Sequence, residues 1–120
     1  MIVDEASELR ETLERFIADV NNNEKVQKMI RKWSSVVNIW GKDINRGYLL
    51  EVVDGKVTQM MEAMNVDDGK VKVVGESRTL IRMFQGKEKI VHLYLDGIVE
   101  TYGSERDQIV LDAIARLLWK

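Results

Sequence analysis

Apolar positions divide the chain into helical and extended segments. Leu9, Leu13, Phe16, Ile17 and Val20 recur at helical spacing, while Glu11, Glu14 and Arg15 lie off that stripe, which predicts an amphipathic helix. Asn21-Asn22-Asn23 breaks the pattern. Asn23 suits the N-cap of a second, shorter helix with a face of Val26, Met29, Ile30 and Trp33. These two helices occupy residues 1–33. Four short strands are predicted over residues 34–74. Val36, Val37, Ile39 and Trp40 make the first, and Tyr48 to Val53 the second, since β-branched and aromatic residues favour strands. Asp54-Gly55 marks a type I′ hairpin, which needs positive φ at both central residues. Val57 to Met64 returns, Asp67-Asp68-Gly69 is a second turn signal, and Val71, Val73 and Val74 form the fourth strand. Short turns between these strands predict an antiparallel meander.

The pattern then reverts to helix over residues 76–96. Ser77 suits an N-cap, Leu80, Ile81, Met83 and Phe84 supply apolar cover, and Gly86 stands where a C′ glycine belongs. Ile90, Val91, Tyr94 and Leu95 predict another short helix, stopped at Asp96-Gly97. A fifth strand is expected at residues 98–102. The connection from Gly75 to Gly97 is long enough to cross over to a parallel neighbour. A last helix, residues 104–119, begins with Ser104 as cap and Asp107 three residues on, a variant of the capping box. Its apolar set is Ile109, Val110, Leu111, Ala113, Ile114, Leu117 and Leu118. Glu105, Gln108, Asp112, Arg116 and Lys120 form a narrow polar stripe, with Asp112 and Arg116 an i,i+4 pair. The expected fold is α+β: a twisted, mixed five-stranded sheet covered on one face by helices.

With 120 residues the chain fits one domain. Lysine and arginine total 18 against 20 acidic residues, so no basic excess exists to neutralise phosphates, and nucleic acid is not an expected partner. There is no cysteine, which excludes disulfides, thiolate catalysis and thiolate-bound zinc and agrees with a cytoplasmic setting. The N-terminus is acidic and helix-like rather than a signal peptide, and no apolar run is long enough to span a bilayer.

Catalytic candidates are few. His92 is the single histidine and sits among apolar residues, where a structural or surface role fits better than acid/base work without a partner. The sequence has no nucleophile-elbow, P-loop or dinucleotide motif. Asp67 and Asp68, like Asp43, Asp54 and Asp96, read as solvated turn formers rather than calcium ligands. Neither a metal nor a cofactor is expected. The more informative feature is apolar excess. The last helix is apolar over far more than half its circumference, and a surface helix needs only about a third. A second surface must cover it: another helix, another subunit or a bound lipid. Met60, Met61, Met64 and Met83 fill a core adequately, and their flexibility also suits a pocket for varied apolar shapes. Trp119 reads as a packing residue that locks the last helix, with an interface role as the rival.

The order of motifs from Trp33 to Leu118 resembles the sterol carrier protein family, the small type-2 lipid-transfer domains. The matching pieces are Tyr48-Leu49-Leu50-Glu51-Val52-Val53-Asp54-Gly55-Lys56-Val57, then Val71-Lys72-Val73-Val74-Gly75, then Ser77, Thr79-Leu80 and a helix ending at Gly86. Gly97-Ile98-Val99-Glu100-Thr101-Tyr102-Gly103 then leads into the closing helix. The chain departs from the family where Lys87 replaces a frequent proline and Ser104 an acidic or amide residue. It also ends Leu118-Trp119-Lys120, without the peroxisomal tail of eukaryotic members. The resemblance implies an apolar tunnel between sheet and helices that holds a fatty acid, an acyl-CoA or a sterol-like lipid. By the same resemblance the tunnel lining is expected from Leu50, Val52, Met60, Met64, Val73, Leu80, Met83, Phe84, Ile90, Tyr94, Leu95, Val110, Ile114, Leu117 and Leu118. The last helix would be the lid, so serine at Leu117 and Leu118 should weaken lipid binding more than folding. Two alternatives stand beside this reading. One is a ligand-free structural or homodimerisation domain; the other is a small enzyme using Tyr94 or Tyr102 around an apolar cavity.

Overall fold

A computed structural model of the chain describes residues 4–119; Lys120, expected on the polar stripe of the last helix, lies outside the described residues. The elements run α1 Glu5–Asn22, α2 Glu24–Ile30, β1 Ser35–Gly41, β2 Arg46–Val53, β3 Lys56–Glu62, β4 Val71–Gly75, α3 Ser77–Phe84, α4 Ile90–Leu95, β5 Glu100–Tyr102 and α5 Glu105–Leu118. The sheet is mixed and five-stranded, in the order β3-β2-β1-β4-β5, and the helices pack on one face.

Register puts one side of every strand into a shared core. Val37 pairs with Leu50 and with Val71, Ile39 with Tyr48 and Val73, and Leu50 with Met60. Directly paired residues share a face, and these lie under Leu9, Leu13, Phe16 and Val20 of α1 and Leu80, Ile81 and Phe84 of α3. The Asp54-Gly55 hairpin forms as expected, with φ of 47° and 81°. A side chain at Gly55 would also come within 2.7 Å of the Ile30 carbonyl oxygen, so glycine is required for space as well as for φ.

The strand connections differ from expectation. Only β1, β2 and β3 form a meander. β4 does not pair with β3; it lies parallel to β1, and β5 is antiparallel to β4. The crossover to a parallel strand is therefore residues 63–70, not residues 75–97. Asp68 is the physical cause of this difference. Its carboxylate accepts the backbone N–H groups of Met64 and Asn65 at 2.7 and 3.1 Å, folding the segment into a compact loop instead of a hairpin turn. The buried amide of Asn38 then donates to the carbonyls of Asn65 and Asp68, both at 3.1 Å, and holds that loop on the face of the sheet away from the helices. Met64 consequently sits on the outer loop, 87% exposed.

Helix ends follow local chemistry. Asp4 and Asn23 cap α1 and α2 through their side chains. α2 ends at Ile30, so Trp33, expected on its face, is buried beyond the helix, and Met29 is exposed. Ser77 is not the N-cap of α3; Glu76 is, and Ser77 is the buried first residue of the helix. Asp43 supplies the missing cap from the β1–β2 turn. Its carboxylate accepts the Ser77 N–H and the Ser77 hydroxyl, each at 2.7 Å, so it is engaged rather than merely solvated. Gly86 terminates α3 at φ 78°. The Lys87 N–H reaches the Arg82 carbonyl at 2.9 Å, the six-to-one bond of a Schellman ending.

Candidate functional site: the cleft beside the last helix

α5 is the element that shapes the site, and it is pinned at its two ends. At the start, Ser104 caps it by accepting the Asp107 N–H at 3.1 Å. The Asp107 carboxylate, expected to reach back to the cap, instead accepts the indole N–H of Trp33 at 2.8 Å. At the finish, the Trp119 ring lies 5.7 Å from the ring of Phe16 and against Gly86, where a Cβ would approach it to 2.5 Å. Between these anchors Ile114 is the one fully buried residue of the helix.

Two apolar spaces flank the middle of α5. On its inner side a small cavity of about 20 Å³ lies between sheet and helices, lined by Phe16, Val20, Ile30, Trp33, Val37, Ile39, Leu50, Val52, Val57, Phe84, Leu111 and Ile114. Its lining offers no polar partner to hold a water. On its outer side a cleft of about 440 Å³ opens between α4, β5 and α5. It is lined by Ile90, Val91, Tyr94, Thr101, Gly103, Glu105, Gln108, Ile109, Leu111 and Asp112. Leu111 lines both spaces and is the wall between them. Tyr94, Thr101, Glu105, Gln108 and Asp112 bring polar groups to the cleft: the Thr101 hydroxyl donates to Gln108 at 2.7 Å, Gln108 donates to the Gly103 carbonyl at 2.9 Å, and Asp112 pairs with Arg116 at 2.9 Å.

The residues expected to line a tunnel are divided by the fold. Leu50, Val52, Phe84 and Ile114 line the inner cavity, and Ile90 and Tyr94 line the cleft. Val73, Leu80 and Met83 are buried in the packed core and line neither space. Met60, Val110, Leu117 and Leu118 are partly buried and pack against that core. Met64 and Leu95 face away from both spaces, at 87% and 73% exposure. Met64 is on the crossover loop; Leu95 is on the outer side of α4, whose single buried residue is Leu93. With Leu117 and Leu118 packed against the core, serine there should damage folding at least as much as binding, contrary to the expectation from sequence.

Sequence reasoning passed over Val91, Ile109, Leu111 and Gln108 in the cleft, and the Trp33 and Phe16 lining of the cavity. Ile109-Val110-Leu111 was a usable signal, because three consecutive apolar residues cannot all face one side of a helix. Tyr94 and Tyr102 do not meet. Thr101 faces the cleft side, so Tyr102, the next residue along the strand, faces the other. The exposed Tyr102 hydroxyl donates to Glu100, and that bond raises its pKa. His92 is exposed on α4. Among the described residues, no group of three or more His, Cys, Asp or Glu is placed to hold a metal ion, and no helix is long and apolar enough to cross a membrane.

This arrangement of sheet and helices is the fold of the type-2 sterol carrier proteins. The crystal structure of sterol carrier protein 2 aligns with a TM-score of 0.69 over 90% of this chain and 93% of its own, at 8% sequence identity. The UbiJ-SCP2 ubiquinone synthesis protein aligns at 0.67 over 92% and 94%, at 13% identity. The solution structure of palmitated SCP2L2 from Aedes aegypti aligns at 0.64 over 87% and 90%, at 15% identity. At these identities the likeness is one of fold. No protein-family model and no curated protein matches the sequence.

Proposed function

We propose that this chain binds a hydrophobic, lipid-type ligand beside α5 and carries out no chemistry of its own on it. The observation that carries the reading is the seating of α5. α5 is held at its ends, fully buried only at Ile114 and half-buried at Val110, Leu111, Leu117 and Leu118, and it leaves an open, largely apolar cleft on its outer side. Volumes of about 300–1,000 Å³ are usual for small-molecule sites, and the cleft falls in that range. The palmitated state of the Aedes aegypti protein of similar fold supports an acyl chain as occupant. Binding would be driven by desolvation, about 0.8 kcal/mol for each methylene removed from water before ordering costs. Outward movement of Leu111 would join cleft to cavity and deepen the site into a tunnel, and the same movement reversed would release the ligand to a membrane or an enzyme. A cytoplasmic carrier is the setting we favour.

Titration with a fluorescent fatty acid tests the proposal. Val91 and Ile109 are exposed in the cleft, at 40% and 59%, so serine at both should weaken uptake at least about tenfold, the loss of two or more methylene burials, with little change in Tm. Uptake equal to wild type in the double variant would overturn the site. A second reading is favoured by Leu95 and Ile98, which are exposed beside the cleft: a homodimer that covers this patch. A dimer in sedimentation that takes up no fatty acid would replace the carrier proposal with that one.

A further inference from the structure

A groove of about 430 Å³ runs along α1 beside the end of α3 and shares no lining residue with the cleft at α5. The rings of Phe84 and Trp119 supply its apolar part, and α1 presents Glu8, Glu11, Thr12, Arg15 and Asp19 along one stripe. Glu8 is bound by Arg78 at 3.0 Å. Among the described residues, Glu11, Arg15, Asp19 and Lys87, which lines the groove from the segment after α3, form no ion pair. Spacing alone does not explain this, because Arg10–Glu14 and Asp112–Arg116 close at the same i,i+4 spacing that separates Glu11 from Arg15. Thr12 is a second, independent sign. It is 5% exposed, yet its hydroxyl has no hydrogen-bond partner among the described residues, whereas buried polar groups are ordinarily satisfied. Among those residues only the Asn38 side-chain oxygen is both fully enclosed and unpartnered, so the Thr12 hydroxyl is reached from the groove.

We propose that this groove binds a zwitterion of dipeptide length. Glu11 and Arg15 are one turn apart, about 6 Å along the helix axis. The amine and carboxylate of an extended dipeptide lie roughly 6–7 Å apart. The amine sits on Glu11 and the carboxylate between Arg15 and Lys87. The central amide meets the Thr12 hydroxyl, which lies between Glu11 and Arg15 on the same stripe. An apolar second side chain then lies against Phe84 and Trp119. A single amino acid is too short to reach both charges. Asp19 stands at the same spacing beyond Arg15, but no hydroxyl lies in that interval, so the amine belongs at Glu11. This site is separate from the cleft at α5 and does not rest on the lipid reading.

A proton–nitrogen NMR titration tests the assignment, at low salt because exposed charges are screened. The probes are alanyl-phenylalanine, its N-acetylated form and its C-terminal amide. The free dipeptide should shift the α1 amides around Thr12 and the Trp119 indole N–H. Each capped form should bind about tenfold more weakly, as expected for the loss of one charge-assisted hydrogen bond. Glu11→Gln should abolish the discrimination between free and acetylated amine, and Arg15→Gln combined with Lys87→Gln that between acid and amide. Thr12→Val should weaken the free dipeptide about fivefold, while Asp19→Asn should leave the order of the three probes unchanged. Equal binding of all three probes, discrimination that survives the charge variants, or no shift at about 10 mM dipeptide overturns the assignment. The fatty-acid titration of the cleft involves none of these residues, so the two proposals fail separately.

Discussion

Leu111 and Ile114 sit one turn apart on α5 yet face different kinds of space, and alanine at each separates packing from binding. Ile114 is 2% exposed and lines only the inner cavity. Removing its outer carbons enlarges an apolar void among buried side chains, so Ile114→Ala should cost about 3–4 kcal/mol. Leu111 is partly buried, and the space it vacates opens to the cleft. Less area leaves the core and no closed void remains, so Leu111→Ala should cost about 1–1.5 kcal/mol. At about 4 °C per kcal/mol for a chain of this size, Tm should fall roughly 12–16 °C for the first and roughly 4–6 °C for the second. Uptake should order the other way. Leu111→Ala joins cavity to cleft and should bind fatty acid at least as well as wild type and accept bulkier ligands. Urea denaturation gives the first comparison and fluorescent-ligand titration the second. Equal stability losses, or a Leu111→Ala protein that binds less than wild type, would refute the partition of the two spaces.

Other substitutions probe the anchors of α5 and the cap of α3. Gly86→Ala forces a side chain into positive φ and into the Trp119 ring; the backbone alone costs about 1–2 kcal/mol, and tryptophan emission should shift to longer wavelength as Trp119 is displaced. A loss under about 0.5 kcal/mol would contradict the contact. Trp33→Phe removes the donor to Asp107 and should cost about 1.5–3 kcal/mol, with faster hydrogen exchange in the first turn of α5; unaltered exchange there would count against the anchor. Burial raises the pKa of Asp43, but hydrogen bonds from the Ser77 N–H and hydroxyl and from backbone N–H groups outweigh it, so the net shift is below the ordinary 3.8. A depressed carboxylate adds stability that is complete above its unfolded pKa and is lost as pH falls through the folded one. Wild type should therefore lose stability below about pH 4 more steeply than Asp43→Asn, and parallel acid titrations would show the Asp43 bonds to be idle.

Much of the fold was legible because each element carried its own local signal. The Asp54-Gly55 hairpin, the Asn23 and Ser104 caps and the Gly86 ending each rest on residues within one turn of the feature they determine. What could not be read depended on contacts distant in sequence. The crossover that brings β4 beside β1 is held by Asn38, which reaches across 27 and 30 residues to the loop, and nothing near Asp67-Asp68-Gly69 encodes that. Asp107 looked like a capping-box residue, but its partner is Trp33, 74 residues away. The site was legible in kind and not in detail. The broad apolar arc of α5 pointed to a space beside it, while the choice of lining residues followed the resemblance. That choice included Met64 and Leu95, which the fold turns outward, and omitted Leu111, which the fold places between the two spaces.

Native mass spectrometry of the purified protein, followed by solvent extraction and lipid analysis, decides whether the cleft beside α5 holds a lipid. A population carrying one lipid per chain is expected, depleted when Val91 and Ile109 are replaced by serine and recovered as an extractable lipid. An unliganded mass that stays unchanged after incubation with fatty acid would contradict it.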